Sequence, residues 1–282
     1  MAITRYTFVG ALNTEGALHI GSGGGGRVGV DDSLTDATVI RDSRGRPYVP
    51  GSSLRGVLRA AIGQLAPSIP GIEAAGAIRD DSEIDKQVAA QLKADNLTEL
   101  SSEEQLQNTL NKALHAAERL FGTVHWASPL LIPDLPLHDR QSDAALRGEI
   151  RHGVGIDRDT GAAREAIKYD FEVLPRETRF DFWMRCDLPD QSADQGKIWL
   201  WLLAIGLRLL EQGELTLGGR AARGLGQVRL TDLKVYRLSL GGKALLDALL
   251  AAPDSPTRYG EEQLNWVEQR LKELHNVRTT TE

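Results

Sequence analysis

Apolar and polar residues alternate with a period of two along residues 179–187. Phe180, Phe182, Met184 and Cys186 fall on one side, and Asp181, Trp183, Arg185 and Asp187 on the other. That is the pattern of a strand in a half-buried sheet. Residues 5–12 alternate more loosely, and 37–40 and 130–132 are short apolar runs; each predicts a strand. Residues 225–238 predict a long last strand of the core. Between these the period changes. Leu54, Val57, Leu58 and Ile62 form a helical stripe that Pro67 and Pro70 end, with Ser52 or Ser53 as the expected N-cap. Residues 198–211 predict a mostly apolar helix buried over the sheet. The order strand, helix, strand, strand, helix, strand is that of an α+β, ferredoxin-like or RRM-like sheet with helices on one face.

Two stretches stand outside that order. Residues 72–121 are helical in character and poor in β-branched residues. A last helix there is expected to start at Ser101-Ser102-Glu103-Glu104 and to carry Leu106, Leu110, Leu114 and Leu120 on one face. After residue 240 come an alanine- and leucine-rich helix and, past Pro253-Asp254-Ser255-Pro256, an amphipathic helix with Leu264, Trp266, Val267, Leu271 and Leu274. The expected organisation is a core of residues 1–63 and 122–240, an acidic helical insertion at 64–121 and a helical extension at 241–282. Asp157-Arg158-Asp159-Thr160-Gly161 is a turn sequence suited to a projecting hairpin.

Charge sharpens the picture. The chain of 282 residues has a net charge of −6, which argues against a nucleic-acid partner. Between Glu73 and Glu118, however, ten acids face four bases, so the rest of the chain is balanced. Arg41, Arg44, Arg46, Arg55 and Arg59 are interrupted by Asp42 alone, and a second basic stretch carries Arg220, Arg223, Arg229, Lys234 and Arg237. Local patches of this kind, and not the total, govern attraction to phosphates. The single cysteine, Cys186, excludes an internal disulfide and a cysteine-rich zinc site. The apolar run at 198–210 is too short to span a bilayer, and the N-terminus lacks the apolar core of a signal peptide, so a cytoplasmic protein without a membrane partner is expected.

Candidate chemistry concentrates in two glycine-rich segments, Leu18-His19-Ile20-Gly21-Ser22-Gly23 and Leu217-Gly218-Gly219-Arg220-Ala221-Ala222-Arg223-Gly224-Leu225-Gly226. Glycine permits close backbone approach, and a helix N-terminus such as that after Pro50-Gly51-Ser52-Ser53 attracts anions. Ser52 and Ser53 are therefore expected to meet phosphates. Arg55 and Arg59, at i and i+4, extend that contact, and Arg220 and Arg223 have a similar case.

These segments occur in order with Asp36-Ala37-Thr38-Val39-Ile40-Arg41-Asp42, Leu120-Phe121-Gly122 and Gly155-Ile156-Asp157-Arg158-Asp159-Thr160-Gly161. Together they resemble the RAMP superfamily, in particular the repeating backbone subunit of type III CRISPR effector complexes. The resemblance implies an RRM-like palm and a protruding hairpin, the thumb, here within residues 137–174. It implies copies arranged head to tail along a guide RNA, with a complementary target RNA, related RAMP subunits and other effector subunits as partners. His19, Gly21, Ser22 and Arg158 then join the expected RNA contacts. Asp36 matches the aspartate of the target-cleaving members, with Asp31 and Asp32 as two further acids able to take its place. Cleavage would use the RNA's own 2′-hydroxyl and a divalent ion such as Mg²⁺, with one cut per subunit and a cyclic phosphate product. Two alternatives are a structural subunit that does not cleave and an enzyme that processes precursor repeats.

Overall fold

A computed structural model describes residues 3–21, 37–96, 102–139, 143–156, 163–189, 193–252 and 255–277. The first half of the chain runs β1 (Ile3–Thr14), β2 (Tyr48–Val49), α1 (Gly51–Leu65), α2 (Glu73–Gly76), α3 (Asp81–Ala94), α4 (Glu103–Ala113), α5 (Ala116–Phe121), β3 (Leu130–Leu131) and β4 (Leu135–Pro136). The second half runs α6 (Asp143–Arg147), β5 (Glu149–Ile156), β6 (Ala163–Val173), β7 (Arg179–Pro189), α7 (Ala193–Gln212), β8 (Val228–Ser239), α8 (Gly242–Leu250), β9 (Glu261–Glu262) and α9 (Trp266–Val277).

The main sheet has the order β3-β7-β1-β8-β9, and each of its pairs is antiparallel. With the edge strand β9 set aside, β1, α1, β3, β7, α7 and β8 follow the ferredoxin-like order, β1 lying between β7 and β8. The alternation at 179–187 is realised in β7: Phe180, Phe182, Met184 and Cys186 are buried and sit opposite Leu12, Gly10, Phe8 and Tyr6 of β1. Their common face is covered by α1 and α7. The two helices cross closely because residue 206 is glycine; a Cβ there would lie 3.0 Å from Leu58 Cδ2 and 3.2 Å from Ile62 Cδ1. Trp266 of α9 closes the same core, edge-on to Phe8 with centroids 5.1 Å apart.

The start of α1 departs from the expectation. The helix begins at Gly51 after Pro50, and neither Ser52 nor Ser53 is its cap. Pro50 at φ −59° presets the entry. The chain at Ile132 presses so closely that a Cβ on Gly51 would sit 2.1 Å from its carbonyl oxygen. The Gly51 N–H donates instead to Asp134 Oδ1 at 2.9 Å, a carboxylate that also complements the positive end of the helix. Backbone packing therefore sets this boundary, ahead of serine chemistry. The strand expected at 37–40 is present only as isolated bridges, and the helix expected up to residue 120 is broken in two. Ser102 caps α4 with Gln105, and the chain breaks at Leu114 and restarts at His115, which forms a second capping box with Glu118.

Helices α3 and α4 bury a small core of their own, Ile84, Val88, Leu110, Ala113 and Leu114, while Leu106 stays exposed. They join the main body through Glu118, whose side chain is fully enclosed. Its carboxylate accepts from Arg79 Nε (2.8 Å), Arg79 Nη2 (2.6 Å), the Arg79 N–H (3.0 Å) and the His115 N–H (2.8 Å). Burial pushes the Glu118 carboxyl up, but these donors outweigh it and hold its pKa below the ordinary value. Stability from this group is thus present at neutral pH and is lost as pH falls through the depressed pKa. Glu118→Ala leaves Arg79 without its counter-ion and is expected to cost about 3 kcal/mol at pH 7. In paired thermal melts the difference from the unaltered protein should narrow only below about pH 4.3, the unfolded glutamate value. A difference independent of pH would refute this account.

Candidate nucleic-acid interface

The two glycine-rich segments, some two hundred residues apart, lie against each other at the base of the β5–β6 hairpin. Leu18 pairs with Leu174, exchanging bonds of 3.0 and 2.8 Å. On the other side the Gly219 N–H donates to His19 O at 2.9 Å and the Gly226 N–H to Ala17 O at 2.8 Å. The Ile40 N–H donates to Ile20 O at 2.9 Å, and the Glu172 N–H to Ala37 O at the same distance. Three segments thereby converge on residues 17–21. Gly218 (φ +76°) and Gly226 (φ +87°) make this possible: a Cβ would stand 2.1 Å from His19 O in one case and from Leu217 O in the other. These two glycines serve chain-to-chain packing first.

Aromatic and cationic side chains gather on this backbone. In β6, Phe171 and Val173 turn toward Ala17 and Leu225 and form a small buried cluster. The His19 ring is buried, meets Phe171 edge-on and donates from Nδ1 to Glu172 O at 2.7 Å. A carbonyl only accepts, so Nδ1 carries the proton and Nε2 is an acceptor in the neutral ring. Nε2 faces Gly21, where a Cβ would be only 3.3 Å away. Arg220 holds the left-handed conformation at φ +66° and lays its guanidinium 4.0 Å over Phe171 and 4.9 Å from Tyr169. Arg223 donates to the Tyr169 hydroxyl at 2.5 Å. The Tyr169 ring and the two guanidinium planes, lying over the buried rings, offer stacking and phosphate contacts without reading a base edge.

His19, Gly21, Arg220 and Arg223 are therefore brought together. Ser52 and Ser53 lie in the first turn of α1, Ser52 exposed. Arg55 and Arg59 close instead over the end of α5: Arg55 donates to the carbonyls of Phe121 and Leu130, and Arg59 to that of Gly122. Burial, with the nearby Arg59 charge, pulls the Arg55 pKa down. Arg46 is likewise engaged, with Leu137 O at 2.8 Å and Asp139 at 2.9 Å. Much of the basic patch read from the sequence thus serves the fold. A guanidinium has five donors, and such bonds leave some for a phosphate. Ser22, Asp31, Asp32, Asp36 and Arg158 lie outside the described residues. Sequence reasoning missed Tyr169, Phe171 and Glu172, although apolar residues at 169, 171 and 173 already form a period-two stripe.

The model of the RAMP superfamily matches residues 11–229, from within β1 to the start of β8. The chain belongs to that family. No curated protein matches it. Membership of the RAMP superfamily makes CRISPR-associated RNA binding the function class of this chain, in a family that includes nucleases. Among the described residues no helix is long and apolar enough to cross a membrane, and no group of three His, Cys, Asp or Glu side chains is arranged to hold a metal ion.

The second loop provides an internal contrast. Gly218→Ala must both strain a left-handed residue and displace His19, and is expected to destabilise by more than about 1 kcal/mol and to weaken RNA binding. Gly219→Ala meets only His19 Cδ2, at 3.9 Å, and should leave the melting temperature unchanged. Equal effects of the two in melts and filter binding would contradict this packing.

Proposed function

We propose that this chain is the repeating backbone subunit of a type III CRISPR effector complex. It polymerises head to tail along the guide RNA, with copies of itself or related RAMP subunits and beside other effector subunits, and cuts complementary target RNA at regular intervals. The observation that carries this reading is the meeting of both glycine-rich segments with the hairpin base, where Tyr169, Arg220 and Arg223 form one surface over the buried rings of His19 and Phe171. Side chains of these types follow a ribose-phosphate backbone, and pairing with the guide supplies the sequence specificity. Such a head-to-tail interface extends into an open filament.

In this reading β5–β6 is the thumb, with Arg158 between its two strands in the sequence, and it interrupts the guide–target duplex once per subunit. The nucleotide splayed there is held in line for self-cleavage. Its 2′-oxygen attacks the adjacent phosphorus while the bond to the 5′-oxygen breaks. Asp36 takes the 2′-hydroxyl proton and water returns one to the 5′-oxygen, leaving a cyclic phosphate and a 5′-hydroxyl. A divalent ion such as Mg²⁺ would offset charge on the phosphate in this cleavage.

The test is purification of the assembled complex with its RNA. Guide RNA should co-purify, and complementary target should be cut at a fixed spacing. Asp36→Ala should abolish cutting while guide binding is retained. Unchanged periodic cleavage in Asp36→Ala, or a complex without RNA, would refute the reading.

A further inference from the structure

Glu172 sits where the hairpin joins the palm, and both its backbone and its side chain are committed. Its N–H donates to Ala37 O at 2.9 Å, and its carbonyl accepts from His19 Nδ1 at 2.7 Å. Its carboxylate accepts from the Val39 N–H at Oε2 (2.8 Å) and from Arg41 Nη2 at Oε1 (2.5 Å). The side chain is only 12% exposed. The other end of the hairpin closes over it at Gly148, φ +74°, where a Cβ would come within 2.5 Å of Oε1. The Arg41 guanidinium continues outward to Gly45 O at 2.9 Å and Leu146 O at 2.6 Å. One carboxylate thus fastens residues 37–41 to the base of β6 and, through Arg41, to the end of α6.

The register gives this fastening its meaning. Ala37 bridges Phe171 in parallel, so the residue that follows Asp36 in sequence lies beside the residue that precedes Glu172. Phe171 is in turn the ring under Arg220 and against His19. An exposed arginine–carboxylate pair contributes little and holds its partners loosely. This one is enclosed and shared with a backbone amide, which fixes its direction as well as its distance.

We propose that Glu172 is a positioning residue that couples the hairpin to the segment carrying Asp36. It holds residues 37–41, which directly follow Asp36 in sequence, in one register with β6, so that a displacement of the hairpin by bound RNA is passed to residues 37–41. The proposal rests on the reading of Asp36 as the cleaving group. Glu172 touches no reacting atom in this role.

The test uses the guide-loaded complex carrying Glu172→Gln, which keeps the shape but exchanges one accepting oxygen and the charge for an amide. Guide occupancy and the KM for target should be unchanged. The cleavage rate at saturating target should fall about tenfold to a hundredfold, and hydrogen exchange of the Val39 amide should accelerate. The milder Arg41→Lys, which keeps the charge and loses the fork, should show a smaller fall of the same kind, and stands in if Glu172→Gln fails to assemble. If Asp36→Ala abolishes cutting while Glu172→Gln cuts at the unaltered rate with Val39 still protected, the coupling is overturned and the cleavage reading stands. If guide binding falls in step with the rate in both variants, Glu172 only holds the fold and the proposal is likewise overturned. If Asp36→Ala cuts normally, the cleavage reading fails by itself. Exchange then decides the coupling: target binding should alter protection of residues 37–41 in the unaltered protein and not in Glu172→Gln, and no difference would overturn it.

Discussion

β1 is hydrogen-bonded along both edges, to β7 on one side and β8 on the other, and the architecture is organised about that double pairing. Its buried face supplies Tyr6, Phe8 and Leu12 to the core under α1, α7 and α9. Its far end runs directly into residues 17–21, the segment on which the hairpin base, residues 37–41 and the second glycine-rich loop all converge. The interface is thus an extension of the central strand, held by main-chain bonds to three neighbours. Loop segments held in this way keep the precision of the sheet they leave.

The strands with clean alternation were legible because one face of each is buried and the other is not. Residues 179–187 are the clearest case, and β7 extends them by two residues. The long last strand starts three residues later than the apolar pattern at 225–238 predicts. Gly226 holds φ +87° and packs against Leu217 O, so the strand starts only at Val228. The start of α1 departs from its local pattern for a related reason: Ser52 and Ser53 look like caps, but contact of Gly51 with Ile132 and Asp134 fixes the boundary. Local propensity yields where two backbones touch.

The site was legible in its glycines, in His19 and in the two loop arginines, which carry their chemistry in their residue types. It was not legible in Glu172. An acid in a strand that alternates Tyr169, Phe171 and Val173 looks like a solvated outward residue until the fold folds Val39 and Arg41 over it. The basic cluster from Arg41 to Arg59 shows the reverse. Counted along the chain it promises a phosphate-binding patch, yet Arg41, Arg46, Arg55 and Arg59 each donate to groups of the chain itself. Composition shows how many guanidiniums there are, and only geometry shows what they hold.

The double pairing of β1 also sets a timetable for synthesis. Its partners begin at Arg179 and Val228, so at about 5–20 residues per second the strand waits on the order of ten seconds or more for its first edge to be covered. The α3–α4 unit closes over a much shorter stretch and can form its own small core meanwhile. The nascent chain therefore carries a nearly finished acidic helical lobe behind an unpaired apolar strand. Its exposure to misassembly is greatest in that interval and ends only when β8 has left the ribosome.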